Sequence, residues 1–99
     1  MAIYKNFNSD TTSSPVNLIT KNSLVQGSIS SILITNHDNT DSCVVQIHLF
    51  DGTNTFVINE TNIPAQCSLL LTDGISFDST VYNLRATTST TADVTIIVK

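Results

Sequence analysis

The feature that most constrains this chain is the run Cys43-Val44-Val45-Gln46-Ile47-His48-Leu49-Phe50, followed by Asp51-Gly52-Thr53-Asn54 and a second run, Thr55-Phe56-Val57-Ile58-Asn59. The first run is rich in β-branched residues and sets Cys43, Val45, Ile47 and Leu49 on one face at a spacing of two. That is the period of a strand with one buried face. Asp-Gly is a favoured pair for a tight type I′ turn, whose two central residues need positive φ. The stretch therefore predicts a β-hairpin with a central strand, and it commits the chain to a sheet-based fold.

The remainder of the chain agrees with that commitment. Ser, Thr and Asn make up more than a third of the 99 residues, while only 12% are charged, about half the usual share. Threonine sits well on a pleated surface, and the residues that commonly coat helices are scarce. No segment has helical periodicity. A chain of this length forms one domain with one modest core, removing roughly 60% of its unfolded surface from water.

Taken in order, residues 1–14 read as an N-terminal arm, and residues 15–99 as a single domain. The arm opens with Ile3, Tyr4 and Phe7 and then turns polar, so its order must come from its own sheet or from a neighbouring copy; addition to a partner's sheet edge is the reading favoured by sequence. Strands are expected over Val16 to Thr20, Ser28 to Asn36, Cys43 to Phe50, Thr55 to Asn59, Cys67 to Thr72, Val81 to Thr87 and Val94 to Lys99. Phe77 is expected to plug one end of the core. The triplet Ile32-Leu33-Ile34 offers apolar groups to both faces of its strand, so one face meets the core and the other meets something else. About seven short strands at this spacing predict an antiparallel β-sandwich, immunoglobulin-like or jelly-roll-like, with an extended N-terminal arm.

The sequence offers little chemistry. Lys5, Lys21, Arg85 and Lys99 are the only cations in a chain of formal net charge −4, too few and too scattered to track phosphates, so nucleic acid is not an expected partner. No apolar run approaches the roughly 20 residues of a membrane helix, and a secretory leader pattern is missing, so a soluble, non-exported protein is expected. His37, Asp38 and Asp41 fall short of a calcium or zinc ligand set and read as a solvated turn. His48 lies on the outward phase of the central strand with no evident acid or nucleophile beside it, and reads as a surface or interface histidine. Neither a phosphate-binding glycine loop nor a nucleophile elbow is present, and all eight acids fall in predicted loops, turns or the arm. No catalytic, cofactor-binding or metal-binding residues are assigned. Cys43 and Cys67 both fall on the apolar phase of predicted strands; a bond between them stays open in the sequence, with buried free thiols as the ordinary reading.

The order Ile34-Thr35-Asn36, Val45-x-Ile47-x-Leu49-x-Asp51-Gly52-Thr53, Asn62-Ile63-Pro64-Ala65-x-x-Ser68-Leu69 and a closing Val94 to Lys99 strand resembles the short all-β structural proteins of tailed bacteriophage virions. That resemblance implies a non-enzymatic virion protein assembled in the host cytoplasm. Its expected role is capsid decoration or cement, as a homo-oligomer with a trimer favoured, bound to the major capsid protein or another virion protein. A neck or tail component and a host-surface glycan-binding module are the alternatives. The residues expected to make subunit contacts are Ile3, Tyr4, Phe7, Phe50, Val57, Leu70 and Ile97, apolar groups of the arm or of outward strand phases.

Overall fold

A computed structural model describes residues 3–7, 15–22, 28–72, 75–89 and 93–99. These contain ten strands and no helix: β1 (Ile3–Phe7), β2 (Val16–Ile19), β3 (Ser28–Ile29), β4 (Ile32–Asn36), β5 (Cys43–Phe50), β6 (Thr55–Ile63), β7 (Cys67–Leu71), β8 (Ile75–Ser76), β9 (Asn83–Thr88) and β10 (Val94–Val98). Two four-stranded antiparallel sheets form the two layers, sheet A in the order β1-β10-β4-β7 and sheet B in the order β2-β9-β5-β6; β3 and β8 make a small third sheet. The expected β-sandwich is thus the observed architecture.

The core follows from alternation. Ile32 and Ile34 of β4, Val94, Ile96 and Val98 of β10, Cys43, Val45 and Ile47 of β5, and Leu84 and Ala86 of β9 are all buried, and together with Ile63 of β6 they form one cluster between the sheets. Each fully buried Ile, Leu or Val stabilises the fold by about 1.5–3 kcal/mol relative to exposure. Phe77 packs against this cluster, as expected.

Several elements differ from the sequence reading for identifiable reasons. The Ser28 to Asn36 strand is broken in two, because the N–H groups of Ser30 and Ser31 turn to the Lys99 carbonyl (2.8 and 3.2 Å) and β3 leaves to pair with β8. β6 runs on past Asn59 to Ile63, since pairing continues along the whole of β5 as far as Cys43↔Ile63. Its register slips between Ile47↔Asn59 and His48↔Val57, leaving Ile58 as an extra residue, a β-bulge that turns Ile58 onto the core. The tip of the β5–β6 hairpin is not a type I′ turn, because Gly52 (φ 104°) has positive φ and Asp51 does not. The Asp51 carboxylate instead accepts the N–H groups of Thr53 and Asn54 at 2.8 and 2.7 Å, and Asp51 N–H bonds the Asn54 carbonyl at 3.2 Å. Side-chain capping of this kind makes a wider turn cheap.

The segment read as an arm supplies a strand to its own sheet: β1 pairs antiparallel with β10 from Ile3↔Val98 to Phe7↔Val94. Residues 8–14, 23–27, 73–74 and 90–92 lie outside the described residues. Both cysteines are free, Cys43 buried and Cys67 exposed. Cys67 has the inward register of its sheet, opposite Asn36, but sits at the first position of edge strand β7.

The layers are also joined by a polar clasp. Asn36, fully buried at the end of β4, donates its amide N–H groups to the carbonyls of Asp41 (2.9 Å) and Ile63 (3.0 Å) and accepts the Asp38 N–H at 3.1 Å. One side chain thereby ties sheet A to the end of β6 in sheet B and fixes the start of the 37–42 loop.

Candidate subunit-contact face

The outer face of sheet A carries the most organised apolar surface among the described residues. Cross-strand register sets Tyr4 opposite Ile97, Ile97 opposite Leu33, and Leu33 opposite Leu70. Directly opposed residues of antiparallel strands point to the same face, so these four make a continuous row across all four strands. With strands about 4.8 Å apart, the row is roughly 14 Å long. Tyr4 is 67% exposed and Leu70 55%, with Leu33 and Ile97 half-buried between them.

The row is one side chain wide. On one side run Thr95, Thr35 and Ser68, with the hydroxyls of Thr35 and Ser68 bonded at 3.1 Å. On the other stand Ser31, Lys99 and Thr72, and between the apolar row and this border lies a recess of about 480 Å³ lined by Ser31, Leu33, Leu70, Thr72, Ile97 and Lys99. A smaller recess of about 240 Å³ opens around the β7 edge, between Ile58, Asn59, Leu70, Leu71, Thr72 and Ile75.

Three of the seven residues expected at contacts, Tyr4, Leu70 and Ile97, come together here. Leu33 joins them; the two-faced triplet at 32–34 was its signal. Ile3 turns inward and packs against the core. Phe7 pairs with Val94, and its side chain lies outside the described residues. Phe50 and Val57 belong to the other layer. The Arg85 guanidinium lies over the Phe50 ring, 3.9 Å from its centroid, and Val57, 54% exposed, faces out from edge strand β6.

His48 is not at the surface. It keeps its outward phase, opposite Arg85 and Val57, yet is only 2% exposed. Arg85 donates from Nε to His48 Nε2 at 3.1 Å. An arginine cannot accept, so Nε2 carries the lone pair and the ring proton sits on Nδ1, which is buried without a partner among the described residues. Burial first, and the Arg85 charge second, hold the imidazole below its ordinary pKa of 6.5. Among the described residues no acid or nucleophile hydrogen-bonds to it. In the 37–42 loop, the Asp38 carboxylate accepts the N–H groups of Thr40 and Asp41, both at 3.0 Å, and these bonds lower its pKa. The described residues hold no group of three or more His, Cys, Asp or Glu side chains placed to share a metal ion.

No protein-family model and no curated protein matches this chain. Solved structures do, among them two of a pentameric capsid protein isolated from metagenomic phage sequences. Each is 12% identical, with a TM-score of 0.52, and the match covers 99% of this chain. The chain spans 59% of the length of one and 60% of the other. What is shared is the fold.

Proposed function

We propose that this chain is a non-enzymatic structural protein of a bacteriophage particle, decorating or cementing the capsid shell as a homo-oligomer. The observation that carries the reading is the row Tyr4–Ile97–Leu33–Leu70, aligned by strand register across all four strands of sheet A and left open on its outer face. An apolar surface of that order is what a protein keeps for another protein. The likeness in fold to a protein described as a pentameric phage capsid protein supports the setting. The recess beside the row is lined by aliphatic side chains, hydroxyls and a single lysine, which gives a reacting group no acid–base pair.

A cement protein must add contact area across subunit boundaries, and each copy can bind modestly if an oligomer engages several lattice sites at once. A trimer seated on a threefold lattice position is the stoichiometry this role favours. Native mass spectrometry of the purified protein, together with quantification in gradient-purified particles of the encoding phage, tests the reading. We expect a closed homo-oligomer and many copies per particle. A protein that stays monomeric up to its solubility limit, or that is missing from purified particles, overturns it; a hexamer or dodecamer moves it to the neck or tail axis.

A further inference from the structure

A sheet edge left undefended invites another strand, so proteins place charges, prolines, bulges or covers on their edges. The two main sheets have four edges, β1 and β7 on sheet A and β2 and β6 on sheet B. β1 carries Lys5 at its centre. β2 follows Pro15, and its register shifts between Asn17 and Ile19. β6 carries Glu60 and the bulge at Ile58. β7, Cys67-Ser68-Leu69-Leu70-Leu71, has none of these devices. It is uncharged, lacks proline and keeps an unbroken register with β4 over all five residues. Among the described residues no backbone hydrogen bond reaches its free side, and the recess of about 240 Å³ around this edge leaves room for an added strand.

The sequence of β7 decides which strand suits it. A second copy turned about a twofold axis normal to sheet A brings β7 against β7, antiparallel, with both outer faces on the same side. That symmetry sets one residue opposite itself. Centred on Leu70, outward Leu70 meets Leu70, inward Leu69 meets Leu71, and Ser68 meets Thr72. Apolar groups then face apolar groups and hydroxyls face hydroxyls, as cross-strand pairs prefer. Centred on Leu69, Ser68 meets Leu70 and the match is lost. β7 bears no charge, so two copies do not repel at this edge.

The apolar row gives the same register. Leu70 is 55% exposed while Leu33 beside it is half-buried, because Leu70 has a neighbouring strand on one side only. Pairing at Leu70 supplies the other side and joins two rows end to end, eight side chains over roughly 34 Å of continuous sheet. We propose that two copies of this chain pair through their β7 edges, antiparallel and centred on Leu70, to form one eight-stranded sheet. An isologous contact closes at two copies, so in a trimer held by another surface the β7 edges serve the contact between neighbouring trimers.

This inference rests on the self-association proposed above, and thiol trapping separates the two. In a Leu70→Cys, Cys67→Ser variant the new thiols face each other with Cβ atoms about 5 Å apart, close to what a disulfide needs. With oxidised glutathione as oxidant, denaturing mass spectrometry then finds covalent dimers of twice the 10.7 kDa chain mass. The wild type stays uncrosslinked, because this register holds its two Cys67 thiols about 20 Å apart. Leu70→Lys and Leu70→Glu, each checked for folding by circular dichroism, set like charges opposite one another. Alone, each weakens association at least about tenfold by native mass spectrometry, and a one-to-one mixture restores it. A wild type that associates while the Leu70→Cys variant crosslinks no faster than a Val57→Cys, Cys67→Ser control, or while the charged variants associate as well as the wild type, overturns the β7 pairing and leaves self-association standing. A wild type that crosslinks through Cys67 overturns the pairing likewise. A wild type that stays monomeric overturns self-association and the pairing with it.

Discussion

Protonation of His48 should weaken the fold in a pH window where few other groups titrate. In the folded chain Nε2 accepts from Arg85 and Nδ1–H is buried. Adding a proton to Nε2 would set two donors, one of them a guanidinium, against each other at 3.1 Å. The folded pKa is therefore depressed below 6.5, so the unfolded chain takes the proton first. A depressed folded pKa means that stability is complete above about pH 6.5 and is lost as pH falls from there toward the folded value. One proton bound only by the unfolded chain costs RT ln 10 per pH unit, so between pH 7.5 and 5.5 the unfolding free energy falls by at most about 1.4 kcal/mol. Urea unfolding followed by circular dichroism at both pH values, at one protein concentration, measures this. His48→Gln removes the titration while offering Arg85 an acceptor, and subtracts every other ionisation. The depressed carboxyls of Asp38, Asp51 and Asp78 lose their contribution only as pH falls below about 4. A wild type as stable at pH 5.5 as at 7.5, or a His48→Gln variant that loses as much as the wild type, refutes the assignment of a neutral buried imidazole.

Asn36→Ala should cost about 3 kcal/mol or more in urea unfolding, because it strands two carbonyls and one N–H that the amide now satisfies. Gly52→Ala should cost about 1–2 kcal/mol without loss of the hairpin: the φ of 104° is unfavourable for a Cβ-bearing residue, although nothing lies within 4 Å of the added methyl. Thiol titration should find one fast-reacting cysteine per folded chain, Cys67, and release Cys43 only in denaturant; two fast thiols would place Cys43 outside the core.

Period-two alternation made much of the fold readable in the sequence. β5, β9 and β10 bury the phases that their patterns indicate, and β4 shows its apolar groups on both faces. What alternation cannot supply is the pairing between distant strands. Tyr4, Leu33, Leu70 and Ile97 are unremarkable one by one; they become a row only when β10 lies between β1 and β4 and each register is known. The burial of His48 is illegible for a related reason, since its phase points outward and its hydrogen-bond donor, Arg85, stands 37 positions away. The division of Ser28 to Asn36 arose from the Lys99 carbonyl, 68 to 69 positions away. The bulge at Ile58 likewise depends on β5 and leaves no local mark.

The position of β10 inside sheet A bears on how the protein is made. During translation β1 and β4 emerge early and wait, with no strand yet available to lie between them. Only when synthesis has reached Val98 can that gap be filled. Ile97 belongs to this late strand, so a nascent or truncated polypeptide lacks the second member of the apolar row and has no finished surface to offer a neighbour. The row is thus present only in a chain whose β10 has joined its two distant neighbours.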